Sequence, residues 1–233
     1  MPGSAPIPAL ILAIDTCGST GSVALGRLPG RDLEILGEAA LEARTYAATL
    51  IAAVRAVLEE AGVGVGDLGG IIAVHGPGSF TGVRVGLSAV KGLAETAQIP
   101  VVALSRLQVL SRKAGVPSSA LDAHRGELFF RFEHAGRDPV ELLAGPAELA
   151  AFDPVPLRVA VCEEAAATAL AAAWPTAQLV HTSPPAARDA LRLGESRLVA
   201  GATVDLALLD GHYLRRSDAE IFGDAAGAGP RRP

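Results

Sequence analysis

The stretch IIAVHGPGSFTGVRVGLSAVKGLA, residues 71–94, decides the fold. Ile71, Ile72, Ala73 and Val74 form a short apolar run that reads as a buried strand, and Gly76, Pro77 and Gly78 punctuate it with a tight turn. Ser79 and Thr81 follow; hydroxyl oxygens at this place satisfy the open amides of a helix start. They predict a helix over residues 82–97 carrying Gly82, Gly86, Ala89 and Gly92. Glycine inside a helix costs about 1 kcal/mol relative to alanine. Two at a spacing of four therefore need a compensating close approach by another backbone, a ligand or a partner protein.

Working outward, residues 9–15, 22–27 and 33–41 read as a three-stranded meander with turns at 18–21 and 29–31. Residues 42–61 read as a helix, because Tyr46, Leu50, Val54, Val57 and Ala61 recur at three and four to make one apolar stripe. Gly62, Gly64 and Gly66 end it. After the glycine helix come a strand at 100–104 and a short helix at 106–114. A second hairpin follows, in which Ala120-Leu121-Asp122 turns through Gly126 into Leu128-Phe129-Phe130. It resembles the first hairpin, where Ala13-Ile14-Asp15 turns through Gly21 into Ser22–Leu25, and the two aspartates are 107 positions apart. This is either an internal duplication or the coincidence of two common strand–Asp–turn patterns. Beyond Glu133 the signal weakens. Strands are expected at 157–162 and 178–181, and Ala-rich helices at 163–174 and 186–200. The expected architecture is α/β, two lobes each with a mixed sheet flanked by helices. The lobes are residues 1–108 and 109–222, with a Gly/Ala/Pro/Arg-rich tail at 223–233 that reads as disordered.

Composition narrows the function. Half of the 233 residues are hydrophobic but only 4% are aromatic, and the net charge is −5 with dispersed basic residues. That argues against a protein gripping nucleic acid through its own field. Cys17 and Cys162 suggest no disulfide framework, and no Cys/His spacing matches a zinc site. A reducing cytoplasm is the expected compartment. The apolar run at 9–14 is short and lacks a cationic flank, so it reads as a strand rather than a signal peptide. No apolar run reaches the roughly 18–20 residues that span a bilayer.

The chemical candidates are few. Asp15 ends a strand before a Gly/Ser/Thr turn; it either holds a metal-bound water near a phosphate or, as the spacing favours, closes an Asx turn on its own loop amides. Asp15, Gly78, Ser79 and Thr81 form a candidate anion or nucleotide loop at a helix N-terminus. The loop lacks the Gly-Lys-Ser/Thr of a Walker motif, and GPGSFTG is not a nucleophile elbow, so Ser79 reads as a cap. His75, His124, His134, His181 and His212 show no paired metal spacing, and Arg84 is either solvent-facing or a contact for an acidic partner. No catalytic residue and no metal site is expected.

The segments at 9–26 (ALILAIDTCGSTGSVALG), 76–94, 101–110 (VVALSRLQVL) and 121–133 (LDAHRGELFFRFE), with a fainter GHYLR at 211–215, together resemble the TsaB (YeaZ) family. GPGSFTGVR followed by a Gly/Ala helix is the specific part. The resemblance implies an actin-like, sugar-kinase-like (ASKHA) fold. It also implies a role in making threonylcarbamoyladenosine on tRNAs that read ANN codons. There the protein acts as a non-catalytic platform that pairs with the transferase TsaD and is joined by the ATPase TsaE. It further implies a homodimer in isolation, tRNA contact only through the complex, a cytoplasmic location, and ATP at the level of the complex with no cofactor on this chain. The helices at 42–61 and 82–97 become the expected partner surface, through Tyr46, Leu50, Gly82, Val85, Gly86, Ala89 and Leu93. On that reading Gly86→Leu should abolish TsaD binding and leave the monomer folded. Two features depart from the family. RTYAATLIAAV at 44–54 lacks the HxxxH of the transferase, which fits the non-catalytic role, but it also lacks the one histidine the family commonly keeps there, Tyr46 taking its place. AVCEEAAA at 160–167 stands where relatives often show a glycine-containing turn, which argues against a nucleotide pocket in the second lobe. The rival readings are a glycoprotease-like hydrolase and an ASKHA ATP-binding phosphotransferase using Asp15 and Asp122.

Overall fold

A computed structural model describes residues 10–28, 33–133 and 138–215. Strands β1 (Leu10–Asp15), β2 (Thr20–Arg27) and β3 (Glu34–Glu42) form an antiparallel meander. Helix α1 (Tyr46–Glu60) and a 3-10 turn (Val65–Asp67) lead to β4 (Gly70–Val74). Helix α2 (Phe80–Ala97) then leads to β5 (Val101–Leu104) and helix α3 (Arg106–Ala114). β1, β4 and β5 run parallel, giving the order β3-β2-β1-β4-β5. β4 is buried at all five positions, as a parallel strand covered on both faces must be. β3 lies at the edge and exposes Glu34, Glu38 and Glu42, which discourage pairing with another chain.

The second half repeats this plan. β6 (Ser118–Asp122), β7 (Leu128–Phe132) and β8 (Val140–Ala144) form a meander. Helix α4 (Pro146–Ala150), β9 (Arg158–Val161), helix α5 (Glu164–Ala173), β10 (Gln178–His181) and helix α6 (Ala187–Val199) follow. The sheet order, β8-β7-β6-β9-β10, matches the first element for element. The strand–Asp–turn likeness is therefore a duplication, and Asp15 and Asp122 end corresponding central strands.

The last helix of each repeat crosses to the other sheet. α6 packs on β1, β2, β4 and β5, burying Ala190 and Leu191, while α3 packs on β6, β7 and β9. Leu107 and Leu110 of α3 share a core with Leu121, Phe129 and Ala160. The largest core joins Ile11, Leu12, Ile71 and Ile72 of the first sheet to Leu50 and Val54 of α1 and to Leu87 and Val90 of α2. A third centres on Phe130 and Trp174, whose indole N–H donates to the Leu149 carbonyl at 2.8 Å. The first sheet lies within residues 1–108 and the second within 109–222. We propose the 108/109 division as one of sheets, with α3 and α6 exchanged across it.

Several boundaries differ from expectation. α1 begins at Tyr46, because Glu42 pairs with Thr20 in β3 and Arg44 takes a positive φ of 69°. α2 begins two residues early, because Ser79 is its N-cap. β8 and α4 went unpredicted. The turn at 29–31 and the tail at 223–233 lie outside the described residues. Among the described residues, no helix is long and apolar enough to cross a membrane.

Candidate functional site

The two halves enclose a cleft of about 1000 Å3, lined by the turn after β1, the loop at 77–82, the turn after β6 and the segment 212–215. Gly78, Ser79 and Thr81 line it, and Asp122 lines it from the second half.

Asp15 is withdrawn beneath this surface. It is 1% exposed, and its Oδ1 accepts the Cys17 amide at 2.9 Å, an Asx turn. Its Oδ2 lies 3.9 Å from Nε of Arg106, which is also buried. Burial raises the Asp15 pKa, with the Arg106 charge opposing it. Asp122 closes the same turn in the second half, accepting the His124 amide at 2.7 Å, but stays at the cleft with its Oδ2 3.0 Å from His124 Nδ1. Ser79 caps α2, accepting the Gly82 amide at 3.2 Å. Cys17 donates its thiol to the Val74 carbonyl at 3.2 Å, and burial pushes that thiol well up, away from the reactive thiolate.

The glycines of α2 face the chain itself. A Cβ on Gly82 would overlap the Thr16 carbonyl oxygen, and one on Gly86 would overlap Thr16 Oγ1, which donates to the Gly82 carbonyl at 2.7 Å. The close approach inferred from their spacing is thus to the turn after β1. Gly86→Leu would drive a side chain into that turn, so the expectation of a folded monomer is corrected.

Tyr46 and Leu50 are buried in the first core, and the Tyr46 hydroxyl donates to the Gly18 carbonyl at 2.9 Å. Burial first, and the nearby Asp15 charge second, push the Tyr46 hydroxyl up to about 12. Val85, Ala89 and Leu93 are half-buried along one row of α2. Ala47 of α1 and Val85 share the cleft rim, and α1 packs against α2. Rows at i+4 continue from them to Ile51, which is 56% exposed, and to Ala89 and Leu93. Sequence reasoning missed Ala47 and Ile51, since they lie off the apolar stripe that marks the core; an exposed Ile beside three alanines was the available signal.

A third cluster joins the halves. Glu141 of β8 accepts from Ser105 Oγ at 2.5 Å and Arg131 at 2.7 Å, and pairs with His212 Nε2 at 2.9 Å. The His212 amide donates to the His75 carbonyl at the end of β4, at 2.7 Å. Arg215 pairs with Glu127 in the turn after β6.

Two repeats of one five-stranded sheet about a shared cleft define an actin-like, sugar-kinase-like (ASKHA) protein. YeaZ from Pseudomonas aeruginosa superposes with a TM-score of 0.68 at 26% identity, covering 88% of this chain and 100% of that one. The chain is 34% identical to the tRNA threonylcarbamoyladenosine biosynthesis protein TsaB of Bacillus subtilis over 123 residues, which is 51% of this chain and 52% of that protein. It is 33% identical to the TsaB of Escherichia coli over 126 residues, 52% of this chain and 53% of that protein. The family model for TsaD, tRNA N6-adenosine threonylcarbamoyltransferase, matches residues 39–137. Within the ASKHA class the similarity of this chain is to the TsaB and YeaZ proteins. The match spans about half the length of these curated relatives.

Proposed function

We propose that this chain serves in tRNA threonylcarbamoyladenosine biosynthesis as a non-catalytic subunit that pairs with a TsaD-type transferase and recruits TsaE. The relatives named TsaB support the pathway. The TsaD model matching residues 39–137 supports a partner built on the same scaffold.

The observation that carries the pairing is the double apolar row on α1 and α2: Ala47 and Ile51 beside Val85, Ala89 and Leu93. Small residues around it, with Ala48, Ala52 and Gly92 exposed, allow a helix pair to approach closely. The inward-facing Gly82 and Gly86 and the buried Tyr46 and Leu50 hold the two helices in place and contribute to the surface by positioning it. The same face would pair two copies when the transferase is absent. Contact with tRNA, and any use of ATP, belong to the assembled complex in the cytoplasm.

The test is co-expression with the cognate transferase, followed by size-exclusion chromatography and a tRNA-modification assay with and without this chain. Ile51→Glu and Ala89→Arg should each abolish co-elution and modification while leaving the thermal transition of the isolated chain nearly unchanged. Co-elution retained by both variants, or modification that proceeds equally without the chain, would overturn the reading.

A further inference from the structure

The exchanged helices carry a basic strip that the docking face leaves unused. α6 covers the side of the first sheet opposite α1 and α2, and it packs against α3, which lies on the second sheet. Lys113 Nζ of α3 ties the two helices together, pairing with Asp189 Oδ2 of α6 at 2.9 Å. Arg112 stands in the last turn of α3 and Arg197 in the last turn of α6. Arg131 of β7 lies between the helices and the second sheet, and none of these three arginines lines the cleft.

The strip is short of carboxylates. Arg131 is 6% exposed and donates through Nη1 to Glu141 at 2.7 Å and through Nη2 to Glu133 at 3.1 Å, while its Nε has no hydrogen-bond partner. Glu133 is shared with Arg112, whose Nη2 lies 3.8 Å from the other carboxylate oxygen. Glu141 is shared with His212 and Ser105. The Arg197 guanidinium is half-buried, yet it makes no ion pair or hydrogen bond among the described residues. Burial lowers its pKa, and the charges of Arg131 and Arg112 lower it further. Three guanidinium groups thus share two carboxylates, in a protein whose net charge is −5.

A cation in the last turn of a helix is favoured by the dipole, which accounts for Arg112 or Arg197 taken singly. It does not account for like charges gathered around a buried Arg131. Such a gathering opposes folding and leaves a local positive field for an anion from outside.

We propose that this strip contacts the phosphodiester backbone of tRNA in the assembled complex, with Arg112 and Arg197 reaching the phosphates and Arg131 keeping the field positive beneath them. The inference rests on the role in a tRNA-modifying assembly proposed above. The strip is open to solvent through Arg112, whose side chain is 60% exposed, and an open strip suits an extended polyanion. It adds to binding by the complex without gripping RNA alone, in keeping with the overall charge of the chain. Contacts of this kind fix position and carry no base sequence.

The test uses the chain co-purified with its cognate transferase and measures binding of labelled tRNA across a salt series. Arg112→Gln with Arg197→Gln should weaken binding about tenfold and lower the slope of log affinity against log salt by about two. The loss should be equal for tRNAs of different anticodon. In modification assays the KM for tRNA should rise while kcat holds. Co-elution with the transferase should be unchanged, because the strip lies across the sheet from α1 and α2. Arg197→Gln alone should leave the thermal transition unchanged or raise it, since it removes an unpaired charge; a clear fall would make Arg197 a structural group and overturn the proposal. Unaltered affinity and salt slope in a paired variant that still co-elutes would overturn it too. So would a loss of affinity for a poly-glutamate peptide with none for tRNA, which would assign the strip to an acidic protein. If the paired variant fails to fold, Arg112→Glu, at an exposed position, carries the same measurements. Failure of the wild-type chain to co-elute strikes the pairing alone. The titration is then made on the chain by itself, where no tRNA binding, or binding that the substitutions leave unaltered, overturns the present proposal as well.

Discussion

At the scale of single residues, the spacing of Gly82 and Gly86 announces a close approach, but not what approaches. The neighbour is Thr16, 66 positions earlier than Gly82, and only the pairing of β1 with β4 brings it there. Sequence pattern is local, so contacts across such separations stay hidden from it. The geometry makes Gly86 a stability position. Gly86→Ala would press a methyl onto Thr16 Oγ1 and disturb its bond to the Gly82 carbonyl. Overpacking of this kind costs about 1–3 kcal/mol, which denaturant unfolding should register while Ile51→Glu leaves the midpoint almost unmoved. Tyr46→Phe should cost about 1–2 kcal/mol by stranding the buried Gly18 carbonyl. An unchanged unfolding midpoint in that variant would show that water replaces the hydroxyl.

At the scale of elements, the first 133 residues were legible because their strands are apolar runs and their helices carry clean stripes. The failures have physical causes. β8 is a sheet-edge strand, exposed to half-buried over Val140–Leu143, so neither alternation nor an apolar run marks it. α4 has five residues, too few for a helical period to show. α6 was expected as a helix, but nothing local says which sheet it covers. It returns to the first, where Ala187, Ala190 and Leu191 are fully buried and Gly194 lies close against Ile72. Leu191→Ala should therefore destabilise the protein by about 2–5 kcal/mol. In hydrogen exchange the loss of protection should appear in β1 and β4 as well as in α6. Loss confined to α6 and the second sheet would contradict the exchange of helices between halves.

At the scale of the whole molecule, the two sheets are joined by the exchanged helices α3 and α6 and by a polar cluster centred on Glu141. It extends from the second sheet to Ser105 beyond β5 and to His212, whose backbone is anchored on His75 at the end of β4. Burial pushes the Glu141 pKa up, but the hydrogen bonds from His212, Ser105 and Arg131 outweigh it and hold the carboxyl below the usual 4.5. A carboxyl depressed in the folded state binds its proton more readily when unfolded. Its contribution is therefore full above the ordinary carboxylate range and is lost as pH falls through the depressed folded-state value. His75 adds to the same limb at higher pH. Burial lowers its pKa from 6.5, opposed by its bond to the Asp210 carbonyl, so the unfolded chain takes up that proton first and stability begins to fall as pH drops through 6.5. The unfolding free energy measured from pH 7.5 downward should thus decline in two stages. His75→Gln should remove the earlier stage, and Glu141→Gln should flatten the later one while lowering stability at neutral pH. A later stage that survives Glu141→Gln intact would place the acid-sensitive brace elsewhere than at the crossing between the two sheets.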